Sequence, residues 1–138
     1  MNTTKFFIGG IAGGIVYFLL GWLIYGMLLS NYMKSVVPGV DRGDAMVFWA
    51  LIIGNLLMGF VLSYVLNRGG GASAGSGIKV GAVIGFLFSA GFDFVMYGTT
   101  NLITLHQLAA DVVAFTVLSA IAGAVVGLVS KPRIVTTA

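Results

Sequence analysis

Cysteine is absent from this 138-residue chain, and glutamate is absent too. Without cysteine there are no disulfides, no thiolate chemistry and no Cys-ligated metals. Charge of either sign is scarce. Only 8% of the residues are charged, against about 25% in a soluble domain. The acids number four: Asp41, Asp44, Asp93 and Asp111. Fingerprints of catalysis and of nucleotide binding are also lacking. The glycines at 69–71 follow no strand and precede no Gly-Lys-Ser/Thr, so they do not read as a phosphate loop. No Ser-His-Asp arrangement, nucleophile with a nearby base or cofactor fingerprint occurs, and no enzyme is expected. The net charge of +3, spread over seven basic residues, gives no argument for nucleic acid.

What is present is apolar. Hydrophobic residues make up 59% of the chain, and the mean hydropathy is +1.07. This is the composition of an integral membrane protein. The apolar runs are continuous rather than alternating, so helices and not a barrel are implied. Four runs are expected to be spanning helices, at residues 6–29, 45–66, 78–97 and 105–129, within one small domain covering residues 1–138. The first lacks an Ala-x-Ala cleavage pattern and is too long for a signal-peptide core, so it reads as a retained helix. Between the first two lies a Pro38-Gly39 turn with Asp41, Arg42 and Asp44, read as a solvated loop whose Asp44 caps the second helix. Residues 69–77, rich in glycine and serine, read as a flexible cytoplasmic linker.

Small residues recur at steps of four, which keeps them near one helix face. The first helix carries Gly9, Gly13, Tyr17, Gly21 and Tyr25. The third carries Gly77, Gly81, Gly85, Ser89, Asp93 and Tyr97, and the fourth Asp111, Phe115, Ser119, Gly123 and Gly127. Glycine faces let helix backbones approach closely in lipid, where hydrophobicity gives no net drive to associate. The expected architecture is two antiparallel hairpins packed through such faces, with Gly9, Gly13, Gly81, Gly85, Gly123 and Gly127 at the contacts. In the second hairpin glycines then meet at one end and Asp93 meets Asp111 at the other. A shift of 72 positions lays Gly9 on Gly81, Gly13 on Gly85 and Tyr25 on Tyr97, a weak echo between the two halves.

The basic residues set an expected orientation. Lys5, Arg68, Lys79, Lys131 and Arg133 fall on one side, and Lys34 and Arg42 on the other. Five against two puts both termini in the cytoplasm. The loop at residues 98–104 has no charge, which suits the outer side.

The run Tyr97-Gly-Thr-Thr-Asn-Leu-Ile-Thr-Leu105, followed by Asp111 and Thr116-Val-Leu-Ser-Ala120, resembles a family of small bacterial predicted membrane proteins. That family has a Tyr-Asp-Leu-Thr-Asn-Leu-x-Thr-Leu signature ahead of an Asp and a Trp-Gly-Thr in its last helix. The resemblance covers about the last third of the chain, with the four-helix layout agreeing elsewhere. Here Gly98 stands where the signature has Asp, and Ala114-Phe115 stand where it has Trp-Gly. The resemblance implies a bacterial inner membrane. It implies no activity, because the family has none assigned.

Asp93 and Asp111 are the candidate site. A carboxylate at membrane depth is costly, by about 2.5–3.5 kcal/mol on insertion scales, and usually has a reason to be there. Two of them close together in a low-dielectric setting resist being charged at once, so one proton held between them is expected. Such a pair suits a proton, a cation or a small amine, with aromatic rings as walls. Tyr97, Asn101 and His106 are expected at similar depth, and Asn55 mid-span, as further ligand- or ion-binding residues, beside Trp22, Tyr25 and Trp49. The structural alternatives are interface hydration or hairpin locking for Asp93, and N-terminal capping for Asp111. His106 lacks a metal-ligand spacing partner, so no metal is expected and an interfacial role is the simpler reading. Asn55 and Ser63 read as interhelical hydrogen bonders. The cofactor is left open: packing alone could hold a quinone, a carotenoid or a haem on His106.

Two functions follow. One is a small transporter or channel using the outer-leaflet carboxylate pair. The other is a non-catalytic accessory subunit that docks a larger membrane complex through its glycine faces. Exposed glycine faces on four helices also imply a homo-oligomer or another membrane partner within the bilayer.

Overall fold

The computed structural model describes residues 1–69 and 72–131. Gly70 and Gly71 of the linker and Arg133 of the basic tally lie outside the described residues. Among the described residues all regular structure is helical. Helix α1 is Thr3–Gly21, opened by the Asn2 side chain, which accepts from the Lys5 amide at 3.1 Å. It runs on without a break into a π-helical segment, Trp22–Leu28, whose wider turns end where the Leu29 N–H donates to the Ile24 carbonyl at 2.7 Å. A short 3₁₀ turn, Gly43–Ala45, precedes α2 (Phe48–Arg68); α3 (Ala74–Thr99) and α4 (Leu105–Val129) follow. The spans Thr3–Leu28, Phe48–Arg68, Ala74–Thr99 and Leu105–Val129 are each long and apolar enough to cross a membrane.

Several boundaries differ from the sequence reading. The first helix begins at Thr3 rather than residue 6, α2 ends at Arg68 rather than residue 66, and α3 ends at Thr99 rather than residue 97. The starts of α2 and α3 move as well. Helix α2 starts at Phe48, not at residue 45, because Gly43–Ala45 coils into the 3₁₀ turn and Met46 is extended. Asp44 therefore does not cap α2, whose N-cap residue is Val47 with no side-chain bond. Helix α3 starts at Ala74, not at residue 78. The Ser73 side chain accepts from the Ser76 amide at 3.1 Å and the Ser76 hydroxyl accepts from the Ser73 amide at 2.9 Å, a reciprocal cap that turns the end of the linker into helix. Helix α4 spans the expected residues 105–129. It begins with a similar box between Thr104 and Gln107.

Helix α4 packs mainly on α3 and also on α1, while α2 packs mainly on α1 and touches both α3 and α4. The interior is thin: Tyr17, Leu62, Leu66, Leu118, Ala122 and Val126 form its apolar core. Large apolar side chains such as Ile15, Leu57, Phe88 and Val113 point outward, as they do where hydrocarbon is the solvent. Several glycines sit where backbones touch. A Cβ on Gly77 would overlap the Gly123 carbonyl, and one on Gly81 would overlap the Ser119 carbonyl. A Cβ on Gly85 would press on Ser119, and one on Gly127 would overlap the Ser73 carbonyl. Between α1 and α2, Gly9 faces the Ser63 hydroxyl, Gly13 faces Gly59, and a Cβ on Gly59 would overlap the backbone of Gly10 and Gly14.

The bundle has two distinct ends. At one, the Lys5 ammonium donates to the Lys131 carbonyl at 3.3 Å, beside a buried polar knot. There Ser63 donates to the Phe6 carbonyl at 2.7 Å, and the Asn67 amide donates to the Ser63 carbonyl at 2.8 Å and to the Ser130 hydroxyl at 3.4 Å. At the other end, the two loops are tied together. The Ser35 hydroxyl donates to the Leu102 carbonyl at 3.0 Å, and the Gln107 amide donates to the carbonyls of Tyr32 and Lys34 at 3.0 and 2.7 Å.

Candidate functional site

The four-step spacing of α3 places Asp93 on the face that carries Gly77, Gly81, Gly85 and Ser89, and all five are buried. Asp93 is only 7% exposed. One turn below it the Ser89 hydroxyl satisfies itself on the Gly85 carbonyl at 2.8 Å, so it offers Asp93 no bond from that direction. Helix α4 brings Asp111 to the same place from the other side. Asp111 lies two turns inside α4, beyond the Thr104–Gln107 cap, so the capping explanation for it does not hold. The third group comes from α1. Its π-helical segment directs Tyr25 inward while Trp22, Leu23, Met27 and Leu28 stay exposed. Isolated π turns inside helices often mark functional positions, because the wider turn re-aims a side chain.

Tyr25, Asp93 and Asp111 line one cavity of about 370 Å³. They lie close enough for Asp111 to act electrostatically on both of the others. The rest of the wall is apolar apart from Gln107: Phe92 from α3, Phe115 from α4, Met33 from the first loop and Ile103 from the last. Gln107 has both ends of its amide engaged. Its carbonyl oxygen accepts from the Thr104 amide at 2.9 Å, and its nitrogen holds the first loop. The cavity therefore contains two carboxyl groups and a phenol, and among the described residues no lysine, arginine or histidine lines it. Within it, Asp93 Oδ2 and Tyr25 Oη are buried and meet no partner at full hydrogen-bond geometry, although the Asp111 carboxyl lies close to both. A buried polar atom without a partner carries a desolvation cost of about 1–3 kcal/mol, more when charged, and so calls for an explanation, such as water, an ion or a ligand group.

Below the cavity the bundle closes. Phe115 stacks on Tyr17 with ring centroids 5.8 Å apart. The Tyr17 hydroxyl donates to Ser119 at 2.8 Å. Ser119 itself lies in the notch left by Gly85. Leu62, Leu118, Ala122 and Val126, all essentially without exposure, fill the space from there to the polar knot around Ser63 and Ser130.

The other residues singled out from the sequence lie elsewhere. Asn55 is half-buried and donates to the Leu51 carbonyl of its own helix at 2.7 Å, with its oxygen turned toward Gly21. Tyr97 and Asn101 are exposed. His106 is exposed and borders a separate concavity of about 530 Å³ with Leu29, Tyr32 and Val113. Among the described residues no group of three or more His, Cys, Asp or Glu side chains could hold a metal ion. Sequence reasoning passed over Gln107 and the walls Met33, Phe92 and Ile103, and placed Phe115 on the α4 stripe without assigning it to the site. For Gln107 a signal existed, the Thr-x-x-Gln pattern of a capping box. For Met33 and Ile103 none did, because loops carry no period.

Comparison of the chain with protein-family models, with curated proteins and with solved structures finds no match.

Proposed function

We propose that this chain is a small membrane transporter or channel that binds a cation, a proton or a small amine at the Asp93–Asp111 pair. The observation that carries the reading is Asp93 Oδ2, buried without a partner at full hydrogen-bond geometry, in a cavity shared with a second carboxyl group and, among the described residues, with no basic side chain. A negative site so placed attracts positive charge. Around it we infer two antiparallel hairpins packed through glycine faces, in a bacterial inner membrane with both termini cytoplasmic. The loop-covered cavity then opens toward the outer leaflet. The opposing run of contacts, Gly77 with Gly123 and Gly81 with Ser119, supports the hairpin geometry, and the basic-residue count supports the orientation.

One observation favours a second reading, a non-catalytic accessory subunit. The half of the bundle below Tyr17 is filled by Leu62, Leu118, Ala122 and Val126, so a single copy offers no continuous polar path. Transport then requires a homo-oligomer or helix motion. Proteoliposomes loaded with a pH-sensitive dye separate the two. Under an imposed gradient of sodium, potassium or alkylammonium, the transporter reading expects a change in internal pH or a cation flux. The Asp93→Asn variant should slow it by about tenfold or more, the effect of removing a charge-assisted contact. Absence of flux in the wild type, together with co-purification of a larger membrane complex unchanged by Asp93→Asn, supports the accessory subunit instead.

A further inference from the structure

We infer that the cavity between α1, α3 and α4 is built for a primary ammonium cation with a small apolar body, in preference to a metal ion or a quaternary ammonium. The inference rests on the cation reading above and names the class of cation. Three features of the site select it. First, the unbonded atoms are oxygens: Asp93 Oδ2 and Tyr25 Oη, with the Asp111 carboxyl beside them. Each can accept an N–H, and a primary ammonium brings three such donors from one atom. A quaternary ammonium has none and leaves both oxygens unpaired. Second, the oxygen count is small. Gln107, the remaining polar residue of the lining, has its amide oxygen on Thr104 and its nitrogen on the first loop. A hard metal cation usually gathers six or more oxygens, and no metal-holding group of acids and histidines occurs among the described residues.

Third, the space exceeds what an ion needs. The cavity measures about 370 Å³, within the range of small-molecule sites of about 300–1,000 Å³. Its remaining walls are Phe92, Phe115, Met33 and Ile103. A bare ion would leave these apolar surfaces uncovered by any ligand atom. An alkyl or aryl body of a few carbons covers them. The ligand thus lies with its nitrogen at Asp93 and its body toward the tied loops. Tyr25 accepts one N–H while its own proton remains free for Asp111.

The test is a cation panel on the detergent-purified full chain, read by isothermal titration and by native mass spectrometry. The probes are n-butylammonium, tetramethylammonium, sodium and potassium at constant ionic strength. The expected result is a butylammonium adduct with one ligand per chain and an affinity about tenfold or more above that for tetramethylammonium or either metal ion. Asp93→Asn should weaken butylammonium by a similar factor. Should that variant misfold, Asp111→Asn and the wild-type selectivity order carry the test. Tighter binding of sodium or potassium overturns the primary-ammonium assignment and leaves the cation site standing. Equal binding of tetramethylammonium overturns the role given to the two unbonded oxygens. No cation binding to folded wild type overturns both the assignment and the cation reading beneath it.

Discussion

Tyr17 carries its hydroxyl to the centre of the bundle, where Ser119 accepts it at 2.8 Å and Phe115 stacks on its ring. This contact joins α1 to α4 directly under the cavity. Its energy is modest, since measured interhelical hydrogen bonds in membranes average about 0.6 kcal/mol with a maximum near 1.7. Tyr17→Phe keeps the ring and deletes the donor. Ser119 can then turn its own proton to a carbonyl one turn earlier, so the loss should be about 1 kcal/mol in an SDS-induced unfolding titration. A loss above about 3 kcal/mol means that the hydroxyl holds more of the bundle together than one bond can. At this scale the sequence was legible where side chains share a helix period. Asp93, Asp111, Tyr25, Phe115 and Ser119 all lie on four-step stripes, and four of these residues line the cavity with Ser119 just beneath it. Asn101 and His106 join them by depth and Asn55 by its mid-span position. Tyr97 shares the α3 stripe but lies one step beyond Asp93, where the drift of about 40° per step leaves it exposed. Depth does not fix the angle around the helix, nor does a stripe hold its angle over many steps, and none of these four residues lines the cavity.

Among the elements, α3 tests how closely two helices approach. Its glycines occupy two kinds of surroundings on one helix. At Gly77 a Cβ would overlap the Gly123 backbone, whereas at Gly91 nothing lies within 4 Å. The Gly77 contact is backbone on backbone and has no flexible end to give. Gly77→Ala should therefore destabilise by about 1–3 kcal/mol, the usual cost of overpacking. Gly91→Ala, on the same helix, should be neutral or stabilising by up to about 1 kcal/mol through helix propensity. Unfolding titrations of both variants in one detergent check the sign. Equal effects would mean that propensity and not contact governs this helix. The ends of the elements were harder to read than their middles. Ser73–Gly77 has the composition of a linker, and only the Ser73–Ser76 cap decides that the helix has already begun. The π-helical turn of Trp22–Leu28 leaves no mark in the hydropathy pattern, because every residue in it is apolar or aromatic except Gly26.

For the whole molecule, the question is whether the two ends communicate. The loop end carries the acidic cavity under a cover stitched by Ser35, Leu102 and Gln107. The terminal end carries a polar knot of Ser63, Asn67 and Ser130. From Ser119 to Ser130 is eleven residues of α4 and its cap, about 16 Å at helical rise, and the space between is filled by Leu62, Ala122 and Val126. Because the chain has no cysteine, single-cysteine variants report on that plug without a background. Ile103→Cys, at the cavity wall, should react with a membrane-impermeant maleimide added to the loop side of oriented vesicles. Val126→Cys, with no exposed surface, should react from neither side, at a rate lower by about a hundredfold or more, as expected for a site reached only through local opening. Rapid labelling of Val126→Cys from the terminal side would show a water-filled path in this bundle and remove the need for an oligomeric pore. Slow labelling that speeds up when cation is added would instead make the plug the moving part. The carboxylate pair would then be the place where binding energy is converted into opening, since a ligand moves an equilibrium only by its difference in affinity between two states.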